Sequence, residues 1–199
     1  WGVCLAAPIR RRKGLPMGYY VNAAILVFLV LWCASLARRQ RRLDAISLYD
    51  TLTGLLSGRV FERERWPAAV RDTAPVAFLF IDLDDLKARN STDGHKAGDA
   101  YIVSAAKHLE RRRGVDQVFR LHGAGDEFGI LIQGPEARKA GEFARVLVSD
   151  LAKVGISASV GAVSTDSVEH KVRASVYAAA EAAMREAKVK KGCAVARVI

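Results

Sequence analysis

The chain is predicted to fold as an α/β protein, a mixed sheet with helices on its faces, behind an N-terminal hydrophobic helix. Three observations carry that expectation. Val76-Ala-Phe-Leu-Phe-Ile81 is a continuous apolar run of strand length, as a strand buried on both faces requires. Val118, Phe119 and Leu121 lead into a turn of small residues, and Phe128 to Ile132 lead out of it, the pattern of a hairpin. Amphipathic helical stretches alternate with these strands along most of the remaining chain.

Charge divides the chain. The formal net charge of its 199 residues is +10, yet residues 1–42 hold eight Lys and Arg and no acid, leaving 23 basic against 21 acidic residues afterwards. Basicity confined to the flanks of a hydrophobic segment points to a lipid bilayer and away from nucleic acid. Cys4, Cys33 and Cys193 lie far apart with no metal-ligand spacing, so neither a disulfide framework nor a zinc site is expected. The first residue is Trp1 and not Met, so a longer parent protein is expected.

In order along the chain, residues 1–13 form a basic flank, with Arg10, Arg11, Arg12 and Lys13 together. Gly14 to Ala37 contains no charged residue. At ~1.5 Å per residue it exceeds the ~30 Å hydrocarbon core, so a tilted transmembrane helix over 14–37 is expected. Tyr19, Tyr20 and Trp32 suit the interfacial belts. A buried core helix is the alternative, and the arginine clusters at both ends argue against it. Residues 38–49 read as a helical linker, and 50–199 as the folded domain.

Within that domain, Asp50 or Thr53 can cap a helix that runs to about Arg71, with Pro67 kinking it. A helix over 97–112 presents Tyr101, Ile102, Ala105, Ala106 and Leu109 on one face. Residues 136–154 form another amphipathic helix, 156–163 a strand, 172–188 an alanine-rich helix, and 194–199 a closing strand.

Two acidic clusters bracket the predicted hairpin. Asp126 and Glu127 stand at its tip beside Gly123 and Gly125, and Asp82 and Asp84 stand where the buried strand leaves the sheet. Sheets of this class place ligands at such strand ends. If the two strands pair, Asp82 and Asp126 converge, and hard oxygen ligands with open positions suit Mg²⁺ or Mn²⁺ holding substrate phosphates. Taken alone, Asp82-Leu-Asp84 is equally a helix cap, and the acidic pair a solvated turn. Lys87 follows at a helix start, where free amides accept phosphate. Asn90 offers an amide donor and Asp99 a carboxylate acceptor, complementary to the edge of guanine, although Asp99 after Gly98 also reads as an N-cap.

Taken together, these residues resemble the ordered motifs of the GGDEF domain of diguanylate cyclases. The matching stretches are Asp50-x-Leu-Thr-Gly-Leu55, Asp82-x-Asp-x-x-Lys-x-x-Asn90, Gly94-His95-x-x-Gly98-Asp99 and Gly125-Asp-Glu-Phe128, then Ser159-Val-Gly161 and Ala182-Ala-Met184-x-x-Ala-Lys188. The resemblance covers roughly 48–199 and implies a fold like nucleotidyl cyclases and polymerase palms, a central mixed five-stranded sheet wrapped by helices. It implies an enzyme that joins two GTP into cyclic di-GMP with loss of two pyrophosphates, each subunit of a homodimer presenting one GTP. By position it implies Mg²⁺ (or Mn²⁺) ligation by Asp82, the Leu83 carbonyl and Asp126, and guanine recognition by Asn90 and Asp99. Lys87 and Lys188 lie near phosphate, Asp126 accepts the 3′-hydroxyl proton, and Glu127 supports the metal site. Arg113-Gly-Val-Asp116 resembles the site at which product cyclic di-GMP inhibits many members. The arginines of 111–113 equally suit a helix end before Gly114.

The chain departs from the family pattern at several places. Ala124 replaces the first glycine of the signature, giving Ala-Gly-Asp-Glu-Phe. Ser57, Leu86 and Ser91 stand where Asn, Phe and Asp are usual, and Lys190-Lys-Gly-Cys193 replaces a Gly-Arg-Asn run. The segment from Asp116 to Asp126 is longer than usual, so His122-Gly-Ala-Gly125 forms an enlarged turn or bulge. The expectation is therefore an inner-membrane enzyme with its domain in the cytoplasm, where GTP is found. The alternative is a catalytically degenerate relative that binds GTP or cyclic di-GMP as a receptor.

Overall fold

The computed structural model describes residues 17–44, 48–71, 75–111, 117–121, 125–167 and 173–199. The chain divides into two compact units between residues 46 and 47. In the first, helix α1 (Met17–Asp44) runs for 28 residues, and every residue from 25 to 32 is more than half exposed although all are large and apolar. Among the described residues no helix is long and apolar enough to cross a membrane. The span expected over 14–37 begins before them and is not shown. The linker expected over 38–49 is helical through Asp44, and residues 45–47 lie outside the described residues.

The second unit is built on a mixed sheet. Its strands are β1 (Leu56–Ser57), β2 (Val76–Leu83), β3 (Gln117–Arg120), β4 (Glu127–Gln133), β5 (Ala158–Thr165) and β6 (Ala194–Val198). Their order is β1-β3-β4-β2-β5-β6, with β1–β3 and β5–β6 parallel and the inner pairs antiparallel. The sheet thus has six strands among the described residues, not the expected five. The extra one is β1, in a stretch expected to be helical from Asp50 or Thr53. There the chain first makes a turn tied to Asp50, pairs Leu56 and Ser57 with Phe119 and Arg120, and only then coils. Pairing with a strand some sixty residues away leaves no periodic mark on two residues.

Helix α2 occupies 58–69 and includes a π-helical stretch, Phe61–Arg65. Pro67 lies just beyond it and has no N–H to donate, and Trp66 N–H reaches back five residues to the Phe61 carbonyl. After β2 come two short-coupled helices, α3 (Leu86–Asp93) and α4 (His95–Arg111), divided at Gly94, whose φ of 82° ends the first. A 3₁₀ turn (Pro135–Lys139) precedes α5 (Ala140–Lys153), and α6 (Arg173–Lys190) precedes β6.

Alternation along β2 distributes two cores. Ala77, Leu79, Ile81 and Leu83 face the layer of α4 and α5, packing with Ile102, Leu109, Leu147 and Leu151. Val76, Phe78 and Phe80 face α2 and α6, packing with Phe61, Trp66, Val176, Ala180 and Met184. Both faces are covered, which is why β2 reads as an unbroken apolar run. Gly161 of β5 lies directly under α6, where any Cβ would collide with the Ala180 carbonyl, so helix and sheet approach closely at that point.

Candidate active site

The alternation that builds the second core also aims its first polar residue. Asp82 continues the 76–78–80 series, and Lys188 continues the 176–180–184 stripe of α6 at helical spacing, so the two meet. Lys188 Nζ donates to Asp82 Oδ1 at 2.6 Å, and the Asp82 side chain is only 7% exposed. On the other side, antiparallel pairing sets the Asp82 Cα opposite Glu127, and the Leu83 N–H donates to the Asp126 carbonyl at 3.2 Å. The two acidic clusters therefore converge across neighbouring strands, as the hairpin argument requires.

Charge in this corner is crowded. Burial pushes the Asp82 carboxyl above the ordinary carboxylate range, Lys188 opposes that shift, and Asp126 and Glu127 add to it by repulsion. Burial lowers the Lys188 ammonium, but Asp82, then Asp126 and Asp84, outweigh it and hold its pKa above the ordinary lysine value. One lysine thus faces several carboxylates. Leu83, Asp85, Leu86, Lys87, Ser91, Asp126 and Lys188 line an open cleft of about 520 Å³ beside them. Among the described residues no group of three or more His, Cys, Asp and Glu is arranged to hold a metal ion. Asp126 lines the cleft and Asp82 lies on the neighbouring strand, and carboxylate oxygens of this kind suit Mg²⁺ or Mn²⁺.

Asp84 is placed differently from Asp82. It is 2% exposed, and its two oxygens accept from Ser157 Oγ (2.6 Å), Ser159 Oγ (2.8 Å) and Gly192 N–H (2.9 Å). Asp84 is no helix cap, since α3 starts after Asp85 and Asp84 bonds to β5 and to the turn before β6.

Asn90 lies on α3 and Asp99 on α4. The Asn90 side chain lies against Gly98, and a Cβ at Gly98 would collide with Asn90 Oδ1. That oxygen is buried with no hydrogen-bond partner among the described residues. Asp99 is exposed one residue further on. The N-cap alternative for Asp99 is overturned, because α4 begins at His95 and Asp99 sits past its first turn. Arg89 stacks over the Tyr101 ring at 4.3 Å, and the Tyr101 hydroxyl joins the backbone of Ser157, so α3 and α4 are tied to the sheet end.

One residue of the site has no place in the sequence-based assignment. Arg120, 4% exposed at the end of β3, donates from Nη1 to Asp50 Oδ1 at 2.9 Å and from Nη2 to the Gly125 carbonyl at 2.9 Å. Asp50 also accepts from the Thr53 N–H and hydroxyl. Burial works against ionisation of Asp50, but the bonds from Arg120 and Thr53 prevail and hold its pKa below the ordinary value. Asp50-Thr-Leu-Thr-Gly54 is thus the anchor of an arginine that also holds the Gly125 carbonyl. Its only sequence sign is a charge among the apolar residues of β3. His122, Gly123 and Ala124, like Arg113 and Asp116 of the expected inhibitory site, lie outside the described residues. The pairing of β3 with β4 continues in register to Leu121, whose N–H donates to the Glu127 carbonyl at 3.0 Å.

Residues 47–193 match the family described as diguanylate cyclase, GGDEF domain. The chain is 36% identical over 139 residues to the bifunctional diguanylate cyclase/cyclic di-GMP phosphodiesterase MucR of Pseudomonas aeruginosa, covering 64% of this chain and 20% of that protein. It is 31% identical over 137 residues to the probable diguanylate cyclase DgcC of Escherichia coli K12, covering 63% of this chain and 36% of that protein. It therefore spans only a fifth to about a third of these relatives. Among solved structures, the GGDEF domain of Pseudomonas aeruginosa TpbB superposes with a TM-score of 0.62 at 28% identity, covering 75% of this chain and 93% of that one. A microbial GGDEF domain studied for its interaction with bis-(3,5)-cyclic di-GMP gives 0.61 at 28% identity, covering 75% and 99%.

Proposed function

Because the chain belongs to the GGDEF domain family, we propose that it is a diguanylate cyclase, joining two GTP molecules into cyclic di-GMP with release of two pyrophosphates. The observation that carries this reading is the convergence of Asp82 with Asp126 and Glu127 across β2 and β4, beside a cleft that Asp126 lines, where an added cation relieves their repulsion. Asp82, Asp126 and the Leu83 carbonyl would hold Mg²⁺ or Mn²⁺. When bound, that ion supplies charge neutralisation on the reacting phosphate.

The chain's own groups do the rest. Lys87 and Lys188 hold triphosphate oxygens, and Asn90 and Asp99 read guanine, Asn90 as an amide donor and the exposed Asp99 carboxylate as acceptor. The 3′-oxygen of one nucleotide forms a bond to the α-phosphorus of the other, the bond to the β-phosphate oxygen breaks, and the proton passes to Asp126. Glu127 keeps the local charge negative. Most of the acceleration comes from orientation and charge complementarity. Two sites must face each other, so a homodimer carries the reaction. Arg113 and Asp116 bind product and restrain turnover. Residues 14–37 anchor the protein in the inner membrane with the domain in the cytoplasm, consistent with the exposed apolar run at 25–32 and the arginines beyond it.

The test is incubation of the full chain with GTP and Mg²⁺, with cyclic di-GMP and pyrophosphate measured. The expected yield is two pyrophosphates per cyclic di-GMP. The extra length expected from the sequence between Asp116 and Asp126 favours one other reading, a receptor. Binding of GTP or cyclic di-GMP without product would establish that reading in place of the cyclase.

A further inference from the structure

Three consecutive ties join the end of β2 to the α6–β6 turn. Asp82 accepts from Lys188, Asp84 from the Gly192 N–H, and Asp85 from Lys191. The turn has a conformation that it does not favour by itself. Lys191 and Gly192 both have positive φ, 52° and 54°, and Asp85 opposite has φ 61°. Asp85 and Lys191 are the only non-glycine residues with positive φ among the described residues, a conformation that side-chain-bearing residues keep only where their surroundings hold it. Of the three ties, Lys188 and Lys191 reach partly exposed ammonium groups, whereas Asp84 is 2% exposed and engages backbone. Both oxygens of Asp84 are taken by three donors, so it is not available as a ligand to a metal.

We propose that Asp84 is a positioning residue that fixes the α6–β6 turn. By holding the Gly192 amide against the end of β2, it keeps Lys188, which lines the cleft, and Lys191, which is paired with the cleft residue Asp85, within reach of an incoming triphosphate. Lys191 then leaves Asp85, which lines the same cleft, for the phosphate. Ser157 and Ser159 serve this role by orienting the Asp84 carboxylate. The inference rests on the GTP reading above and adds a second phosphate-side lysine, in the stretch where the family's Gly-Arg-Asn run is replaced.

The test uses the full chain with Asp84→Asn and, in case that buried change prevents folding, Ser159→Ala, which keeps the carboxylate and removes one donor. Two quantities are read: hydrogen exchange at the Gly192 amide without nucleotide, and affinities for GTP and GMP. Exchange at Gly192 should quicken at least tenfold. GTP affinity should fall about tenfold, as loss of a hydrogen bond to a charged group implies, with GMP affinity changed less than about twofold. Unchanged exchange, or faster exchange with GTP affinity intact, overturns the proposal, as does an equal loss for GTP and GMP. A wild-type protein with no affinity for GTP overturns the underlying functional reading instead, and exchange at Gly192 distinguishes the two failures.

Discussion

The two ends of the cleft are built on opposite plans. At the sheet end, polar groups are tied to one another: Asp82 to Lys188, Asp84 to two serines and a backbone amide, Arg120 to Asp50 and the Gly125 carbonyl. At the α3–α4 end, Asn90 Oδ1 is packed against Gly98 with no hydrogen-bond partner among the described residues, and the Asp99 carboxylate is exposed. The first end has its charges arranged before any ligand binds, which is the condition for electrostatic catalysis without reorganisation. The second presents an exposed carboxylate, which suits recognition of a base edge. Changes at the sheet end should therefore alter both stability and chemistry, and changes at the helix end binding alone.

The largest effect expected is that of Asp126→Asn. Losing one carboxylate from the converged set should lower cyclic di-GMP synthesis by ~10³-fold or more while the fold persists. Near-normal output in a direct product assay would remove Asp126 from the site.

Asp99→Ala sharpens the contrast from the other end. GTP affinity should fall by roughly ten- to a hundredfold and preference for GTP over ATP should shrink, because two guanine donors lose their acceptor. The melting temperature should not move, since Asp99 is exposed. A folded variant with unchanged discrimination would mean that the base is read elsewhere.

A smaller effect concerns pH and the Asp50–Arg120 pair. Asp50 has a folded-state pKa below its ordinary value, so its contribution to stability is present above the ordinary carboxylate range and is lost as pH falls through the folded value. Asp50→Asn should lower stability at neutral pH, by about 3–5 kcal/mol if Arg120 is left buried and unpaired. It should also flatten the acid limb of the stability curve. Parallel acid limbs for wild type and variant in urea titrations would show that the pair does not carry this linkage.

Legibility in the sequence followed locality. The apolar run of β2, the hairpin strands and the helical stripes were readable because burial imposes a local period, and Asp82, Asp126 and Glu127 were readable because they end such runs. β1 was not, since a two-residue parallel pairing is a tertiary contact. Nor were the roles of Asp84 and Arg120, whose partners lie roughly seventy residues or more away apart from the nearby Gly125 carbonyl. The break between α3 and α4 at Gly94 was visible only as a glycine. The inhibitory pair Arg113 and Asp116 and the enlarged turn at 122–124 remain sequence-based expectations.

The most direct test of the two-ended site is a crystal structure of the full chain with Mg²⁺ and a non-hydrolysable GTP analogue. The account predicts the guanine edge on Asn90 and Asp99, the triphosphate on Lys87, Lys188 and Lys191, and the ion on Asp82, Asp126 and the Leu83 carbonyl. A nucleotide bound with its base away from the α3–α4 junction, or an ion held without Asp82, would contradict it.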